Sequence, residues 1–138
     1  MASDSTSDAD LGETFAAAGS AIRILVVGPD PLARGGLAAL LTGEPGYRVV
    51  AQLAVGDGDE AADAEALPPA DVALWDLGLS PPEGGLERLA AAAVDGPPIL
   101  ALAASVEQAA DALAAGAHGA LLRGAPAAQL KAATAALA

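Results

Sequence analysis

Five short runs of mostly apolar residues recur along this chain, and they constrain its fold more than any other feature. The runs lie at 22–27, 47–53, 71–75, 98–103 and 118–122 and are rich in Val, Ile, Leu and Ala. Each has the length of a β-strand. Because they are apolar runs rather than clean alternations of apolar and polar residues, the strands are expected to be buried on both faces, as in a parallel sheet.

Helical segments separate these strands. The pattern predicts helices over 31–42, 58–67, 85–94 and 106–115, and a last helix from Pro126 nearly to Ala138. Strands and helices that alternate through short connections predict an α/β fold, namely a doubly wound five-stranded parallel sheet sandwiched by five helices.

Local sequence also predicts how two of the helices begin and end. Asp30 followed by Pro31 is typical of a helix start, and Gly43 is placed to end that helix in a left-handed conformation. Ser105 and Gln108 form a capping-box pattern before the fourth helix. The apolar face of the first helix is predicted to consist of Leu32, Gly36, Leu37, Leu40 and Leu41.

Composition limits the class of protein. The chain has 138 residues, a formal net charge of −12 and no cysteine. We predict a disordered acidic tail over 1–20 and one domain over 21–138. So negative a surface repels nucleic-acid phosphates and anionic lipid, so neither direct nucleic-acid binding nor membrane association is expected. The lack of cysteine, of a signal peptide and of a membrane-length apolar run favours the cytoplasm.

The functional residues of a doubly wound fold lie at the carboxyl ends of its strands. In "ADVALWDLGLS", residues 70–80, a buried strand leads directly into the carboxylate of Asp76. The other residues at strand ends are Gly28, Pro29 and Asp30 after the first strand, Ala103 at the fourth and Arg123 after the fifth.

Four segments carry a family resemblance over about residues 22–137. They are "IRILVVGPDPLARGGLAALL", "PADVALWDLGLSPPEGGLERL", "PPILALAAS" and "AGAHGALLRGA", in that order. Together they resemble the receiver domain of two-component response regulators, in particular the receiver that precedes a C-terminal helix-turn-helix. The resemblance implies a flavodoxin-like receiver fold and a signalling module rather than an enzyme.

In that family a histidine kinase phosphorylates an aspartate at the end of the third strand. Two acidic residues after the first strand hold Mg²⁺, a Ser or Thr ending the fourth strand binds the phosphoryl group, and a Lys ending the fifth pairs with it. An aromatic residue on the fifth strand follows the switch. Phosphoryl transfer to a carboxylate needs such a cation and such donors to offset the charge on the oxygens.

The resemblance places Asp76 at the phosphoacceptor position and Arg123 at the lysine position, where the charge is kept but its shape changes. The remaining positions have lost their functional groups: the acidic pair falls on Gly28 and Pro29, the hydroxyl on Ala103 and the aromatic on Ala120. We therefore expect an atypical, degenerate receiver with no metal site, no cofactor and no Mg²⁺-dependent phosphorylation.

Several residues have competing interpretations. Asp76 is either an inherited acid held in an ion pair by Arg123, which we favour, or a working phosphoacceptor. Asp30 fits a helix N-cap better than a substitute metal ligand. The acidic run at 57–65 fits a solvated face better than a cation site, because it lacks the spacing of a calcium loop.

Three functional hypotheses follow. The first is an atypical receiver that acts as a signalling and dimerisation module and controls a DNA-binding output domain outside this chain. The second is a receiver phosphorylated on Asp76 by a histidine kinase. The third is a small nucleotide-binding or catalytic α/β domain, suggested by the glycines of "GPDPLARGG", which match neither G-x-G-x-x-G nor a Walker loop.

Overall fold

The predicted strands form a single parallel sheet. They are β1 (Ile22–Gly28), β2 (Tyr47–Ala54), β3 (Val72–Asp76), β4 (Ile99–Ala103) and β5 (Gly119–Leu122). Their order is β2-β1-β3-β4-β5, and every neighbouring pair is parallel. Every residue of β3 and of β4 is buried, which confirms the doubly covered sheet that their apolar sequences predict. The strand order reverses between β1 and β3, so a crevice forms at their carboxyl ends.

The computed structural model describes residues 21–55, 67–79 and 84–138. Within them lie the helices α1 (Pro31–Thr42), α2 (Gly85–Asp95), α3 (Val106–Ala115) and α4 (Ala127–Leu137). The predicted tail over 1–20 and the acidic run at 57–65 lie outside the described residues. So does the helix predicted over 58–67, except for Leu67, which is not helical. The structure therefore describes four helices of the five that the sequence predicts.

The sheet separates two hydrophobic layers. On one side α2 and α3 pack on β-strand residues such as Leu25 and Trp75. On the other side α1 and α4 pack on residues such as Val26 and Leu74, with Leu130 supplied by α4. Trp75 is 1% exposed and lies in the α2–α3 layer, so successive residues of β3 point into opposite layers.

The buried face of α1 differs from the prediction. Ala38 and Leu41 are buried and Leu37 packs on the same layer, whereas Leu32 is 83% exposed and Gly36 and Leu40 also face outward. The inward stripe runs through positions 34, 37, 38 and 41, the spacing of neighbours on one helix face. The prediction placed the leucines on the buried face. In the structure the small side chain of Ala38 faces the sheet instead, and Arg34 lies one turn before it on the same face.

Of the two predictions about the ends of α1, the one for its start is correct and the one for its end is wrong. Asp30 is the N-cap, and its Oδ1 accepts a hydrogen bond from the Leu32 N–H at 3.0 Å. Gly43, predicted to be left-handed, has φ −75° and stays in the right-handed region. The chain reverses three residues later, at Gly46, where φ is 88°. Among the described residues, no helix combines the length and the apolar character needed to cross a membrane.

Candidate functional site

Asp76 is the last residue of β3 and is 1% exposed. It lies beside Leu102 of β4 in the strand register, and its Cβ lies against Gly28 at the end of β1. Because an ionised carboxylate is costly to bury without partners, the groups that hydrogen-bond to Asp76 decide what this site can do.

Arg123 and Gly78 supply those partners. The Nε of Arg123 lies 3.0 Å from Oδ1 of Asp76, and its Nη2 donates to Oδ2 at 3.3 Å. The Gly78 N–H donates to Oδ1 at 3.1 Å. The backbone holds Arg123 in place as well, because its N–H donates to the Ala103 carbonyl at 2.8 Å. Both carboxylate oxygens are therefore engaged in a two-pronged ion pair, the strongest form of such contacts.

Arg34 is a site residue that the sequence analysis did not identify. Its Nη1 donates to the Gly28 carbonyl at 2.6 Å. Its Cγ and the Cβ of Asp76 both lie within 3.7 Å of the position that a Gly28 Cβ would take. Its Nε is buried and has no hydrogen-bond partner among the described residues. Arg34 is the single charged residue of α1, which is the sequence feature that could have drawn attention to it.

The residues at this edge do not fit Mg²⁺. Gly28 and Pro29 offer no side-chain ligand, and the Gly28 carbonyl already accepts from Arg34 and, at 3.2 Å, from the Val55 N–H. Asp30 caps α1. Mg²⁺ requires a near-octahedral set of oxygen ligands, whereas the structure places the guanidinium of Arg34 beside Gly28. Across the described ranges 21–55, 67–79 and 84–138, no three His, Cys, Asp or Glu side chains group so that they could hold a metal ion.

Ala103 and Ala120, the residues that the resemblance places at the hydroxyl and aromatic positions, are both small. Ala103 is fully buried, and Ala120 is a half-buried residue of β5 that packs on the α2–α3 layer. Ser105 follows closely in sequence, but its Oγ accepts from the Gln108 N–H at 3.1 Å and caps α3. β4 thus ends in a residue without a hydroxyl, and the hydroxyl of Ser105 is engaged as a helix cap.

Gln108 joins two loops at this edge. Its Oε1 accepts from the Ala104 N–H at 2.8 Å, and its Nε2 donates to the Leu79 carbonyl at 3.0 Å. In the predicted capping box the glutamine would reach back to the N–H of Ser105. In the structure Gln108 accepts instead from the N–H of Ala104, the residue before Ser105. Because its Nε2 also binds Leu79, Gln108 links the loop after Asp76 to the loop after β4.

The fold and this edge define the class of protein. A five-stranded parallel sheet in this order, with a buried carboxylate ending β3 and a cation following β5, is the flavodoxin-like α/β arrangement with its site at the switch point.

Comparison with known proteins identifies the family. No protein-family profile matches the sequence, and no curated protein does. Solved structures match. A two-component response regulator of the LuxR family from Aurantimonas sp. SI85-9A1 is 31% identical, with a TM-score of 0.62 over 85% of this chain and 87% of that one. The response regulator ChrA of a heme-sensing two-component system is 30% identical, with a TM-score of 0.65 over 86% of this chain.

The chain spans 57% of the length of the ChrA structure. It also matches the signal receiver domain of the response regulator NarL from Mycobacterium tuberculosis, at 25% identity and a TM-score of 0.62, over 83% of this chain and 94% of that one. The chain belongs to the response-regulator receiver domains. The family predicted from the four sequence segments is thereby confirmed.

Proposed function

We propose that this receiver is an atypical signalling and dimerisation module that works without Mg²⁺-dependent phosphorylation of Asp76. The observation that carries the proposal is the engagement of both Asp76 oxygens by Arg123 and Gly78. An oxygen that accepts hydrogen bonds from a guanidinium and an amide is a poor nucleophile toward phosphorus. Catalysis of that transfer depends on cations and donors placed around the phosphoryl group, and neither Gly28, Pro29 nor Ala103 can supply them.

The test is treatment with a small phosphodonor. Wild-type protein and Asp76→Asn are incubated with Mg²⁺ and acetyl phosphate, and intact mass is recorded over time. We expect both proteins to keep their unmodified mass. A stoichiometric phosphoryl adduct on the wild type that is lost in Asp76→Asn would overturn the proposal. That result would support the alternative, a receiver phosphorylated on Asp76 by a histidine kinase.

We further infer that the module controls a DNA-binding output domain outside this chain and acts in the cytoplasm. This inference is supported by the LuxR-family regulator among the matched structures and by the ChrA chain, of which this chain spans only 57%. The chain itself is not expected to bind DNA, because its formal net charge of −12 repels the phosphates. The sequence encoded beyond Ala138 tests the inference, and a helix-turn-helix there is the expected result.

Homodimerisation is proposed for the outer face of α1, where Leu32 is 83% exposed. Leu32, Gly36 and Leu40 follow one another at four-residue spacing and are all exposed, so they form one outer face that is suited to pack on the same face of a second copy. Sedimentation of the wild type and of Leu32→Glu tests this. A concentration-dependent dimer weakened by Leu32→Glu is expected, and a monomer at all concentrations would refute it.

The nucleotide-binding hypothesis finds no support in the described geometry of α1. A phosphate would be expected at the helix N-terminus. The Asp30 carboxylate already accepts from the Leu32 N–H there, and a second anion would be repelled.

A further inference from the structure

A cavity of about 570 Å³ lies at the carboxyl ends of β4 and β5, beside the paired Asp76 and Arg123. Leu79, Leu121 and Leu122 form its apolar walls, and Arg123 and Gln129 are its polar lining residues. Sites for small molecules have volumes of roughly 300–1,000 Å³, mostly apolar walls and a few polar groups that fix orientation. The cavity has both the size and the lining of such a site.

The cavity is held open by the structure around it. Its lining includes the small residues Ala104 and Gly124, where larger side chains would fill the space. Gln108 binds the Ala104 N–H and the Leu79 carbonyl, so one side chain fixes the loops that carry two lining residues. A ligand would therefore meet a largely formed pocket and lose little free energy in ordering it.

The rim of the cavity exposes apolar surface. Leu79 is 77% exposed and Leu122 is 46% exposed. Covering such side chains with an apolar group is favourable, at about 25 cal/mol per Å² of apolar surface removed from water. The occupant therefore needs an apolar body.

Arg123 determines the charge of the occupant. A guanidinium has five N–H donors, and the pair with Asp76 uses only Nε and one N–H of Nη2. The Arg123 side chain is 30% exposed while that of Asp76 is 1% exposed, so the pair leaves donors of Arg123 unused on a side chain that solvent reaches. Among the described residues that line this cavity, Arg123 carries the only charge.

The ion pair between Asp76 and Arg123 lies between this cavity and a second, smaller cavity. A cavity of about 330 Å³ is lined by Asp76 and, like the larger one, by Arg123 and Gly124. A ligand anion on the outer side of Arg123 competes with Asp76 for the same guanidinium. Occupancy and the Asp76–Arg123 pair are thus thermodynamically linked.

We propose that the larger cavity binds a small amphipathic carboxylate, with its carboxylate on the outer N–H groups of Arg123 and its apolar body over Leu79 and Leu122. The inference goes beyond the function proposed above and does not depend on it. The cavity and its arginine are present whether or not Asp76 accepts a phosphoryl group.

The test compares naphthalene-1-acetate with naphthalene-1-acetamide, its neutral isostere. Both are titrated into ¹⁵N-labelled wild-type protein. We expect naphthalene-1-acetate to shift the backbone N–H signals of Arg123 and Gly124. We also expect it to bind about tenfold tighter than naphthalene-1-acetamide, because the neutral probe cannot make a charge-assisted contact with arginine. Equal affinities, or shifts confined to other regions, would overturn the proposal. So would the same shifts on concentrating the protein without probe, since a second copy would then occupy the cavity.

Variants test the pocket and the pairing separately. Gly124→Leu should abolish the shifts by filling the cavity, since a Cβ at Gly124 meets no atom within 4 Å. Its matched control is Gly43→Leu, at the exposed far end of α1, where the nearest contact of a Cβ is 3.8 Å. Circular dichroism checks the fold of each. If Gly124→Leu is folded and binds like the wild type, the proposal is wrong.

Asp76→Asn should tighten binding of naphthalene-1-acetate severalfold, because Arg123 no longer neutralises a full charge. Arg123→Gln should remove the preference for the carboxylate over the amide. Changes of the opposite sign would contradict the link between the ligand and the ion pair. A phosphoryl adduct on Asp76 in the phosphodonor experiment would overturn the proposed function, whereas the binding results obtained on untreated protein would stand, so the two failures can be told apart.

Discussion

The guanidinium of Arg123 meets the carboxylate of Asp76 across 47 positions of sequence, with Nε 3.0 Å from Oδ1 and Nη2 3.3 Å from Oδ2. The family resemblance implies that the cation at this position pairs with a phosphoryl group carried by the aspartate. Here the two residues hold each other directly. The pair therefore bears both on the stability of this end of the sheet and on the reactivity of Asp76.

Removing the two partners should have unequal effects on stability. Arg123→Gln leaves the buried Asp76 carboxylate with the Gly78 N–H, and we expect a loss of about 3 kcal/mol in the free energy of unfolding. Asp76→Asn should cost about 1 kcal/mol, since water can solvate the partly exposed Arg123. Urea denaturation followed by the fluorescence of Trp75, the only tryptophan, measures both.

The double variant Asp76→Asn/Arg123→Gln should be more stable than Arg123→Gln alone, because no uncompensated charge remains. Arg48→Gln, on the exposed surface of β2, is the matched control and should change stability by less than about 0.5 kcal/mol. If Arg123→Gln costs no more than this control, the pair does not stabilise the fold.

A side chain at Gly28 should destabilise the protein. A Cβ at this position would lie 3.0 Å from the Asp76 Cβ and 3.3 Å from its carbonyl oxygen, so Gly28→Ala must displace β3 or Asp76. We expect a loss of about 1–3 kcal/mol, the usual cost of overpacking. Thermal unfolding measures it. Gly43→Ala, with ordinary contacts and φ −75°, should be neutral or stabilising by about 0.5 kcal/mol. Equal effects of the two changes would show that the Gly28 contact is not restrictive.

Stability in acid should depend on Asp71, which directly precedes β3 and so lies at the opposite end of that strand from Asp76. The Arg23 N–H donates to its Oδ2 at 2.9 Å, and the Arg23 guanidinium reaches both of its oxygens. These contacts, the backbone hydrogen bond first, hold the pKa of Asp71 below its ordinary value of 3.8. Because the folded-state pKa is lowered, the stabilisation is present above pH 3.8 and is lost as pH falls through the folded-state value.

Asp71→Asn should therefore be less stable than the wild type at pH 7, and the difference should shrink as pH falls below 3.8. Urea midpoints from neutral pH down to acid pH measure it. Asp111→Asn, on the exposed side of α3, is the control and should change the midpoint less at neutral pH. A difference between wild type and Asp71→Asn that grows on acidification would contradict the predicted sign.

Gln108 should hold the two loops together. Gln108→Ala removes hydrogen bonds to the Ala104 N–H and the Leu79 carbonyl, and we expect a loss of about 1–2 kcal/mol. Hydrogen exchange of the Ala104 amide should become faster in the variant, as measured by NMR. Gln52→Ala, an exposed position of β2, should leave that exchange rate unchanged. An Ala104 amide that exchanges at the wild-type rate in Gln108→Ala would mean that Gln108 does not restrain the loop.

Much of the fold could be predicted because its determinants are local. The bounds predicted for α1, 31–42, agree with the structure, since Asp30 and Pro31 favour a helix start on their own. The parallel direction of the strands follows from their apolar runs and from the helices between them. That Gly28, Pro29 and Ala103 carry no carboxylate or hydroxyl is a matter of residue identity, which the sequence displays directly.

By itself, then, the sequence determined the order of the elements and the place of Asp76 at a strand end. The tertiary structure decided what surrounds that carboxylate. Arg34 reaches Gly28 because Ala38 and Leu41 select the buried stripe of α1, and Gln108 reaches Leu79 across 29 positions of sequence. Such contacts depend on the packing of whole elements to within about an ångström, and local preferences of the chain do not encode that distance.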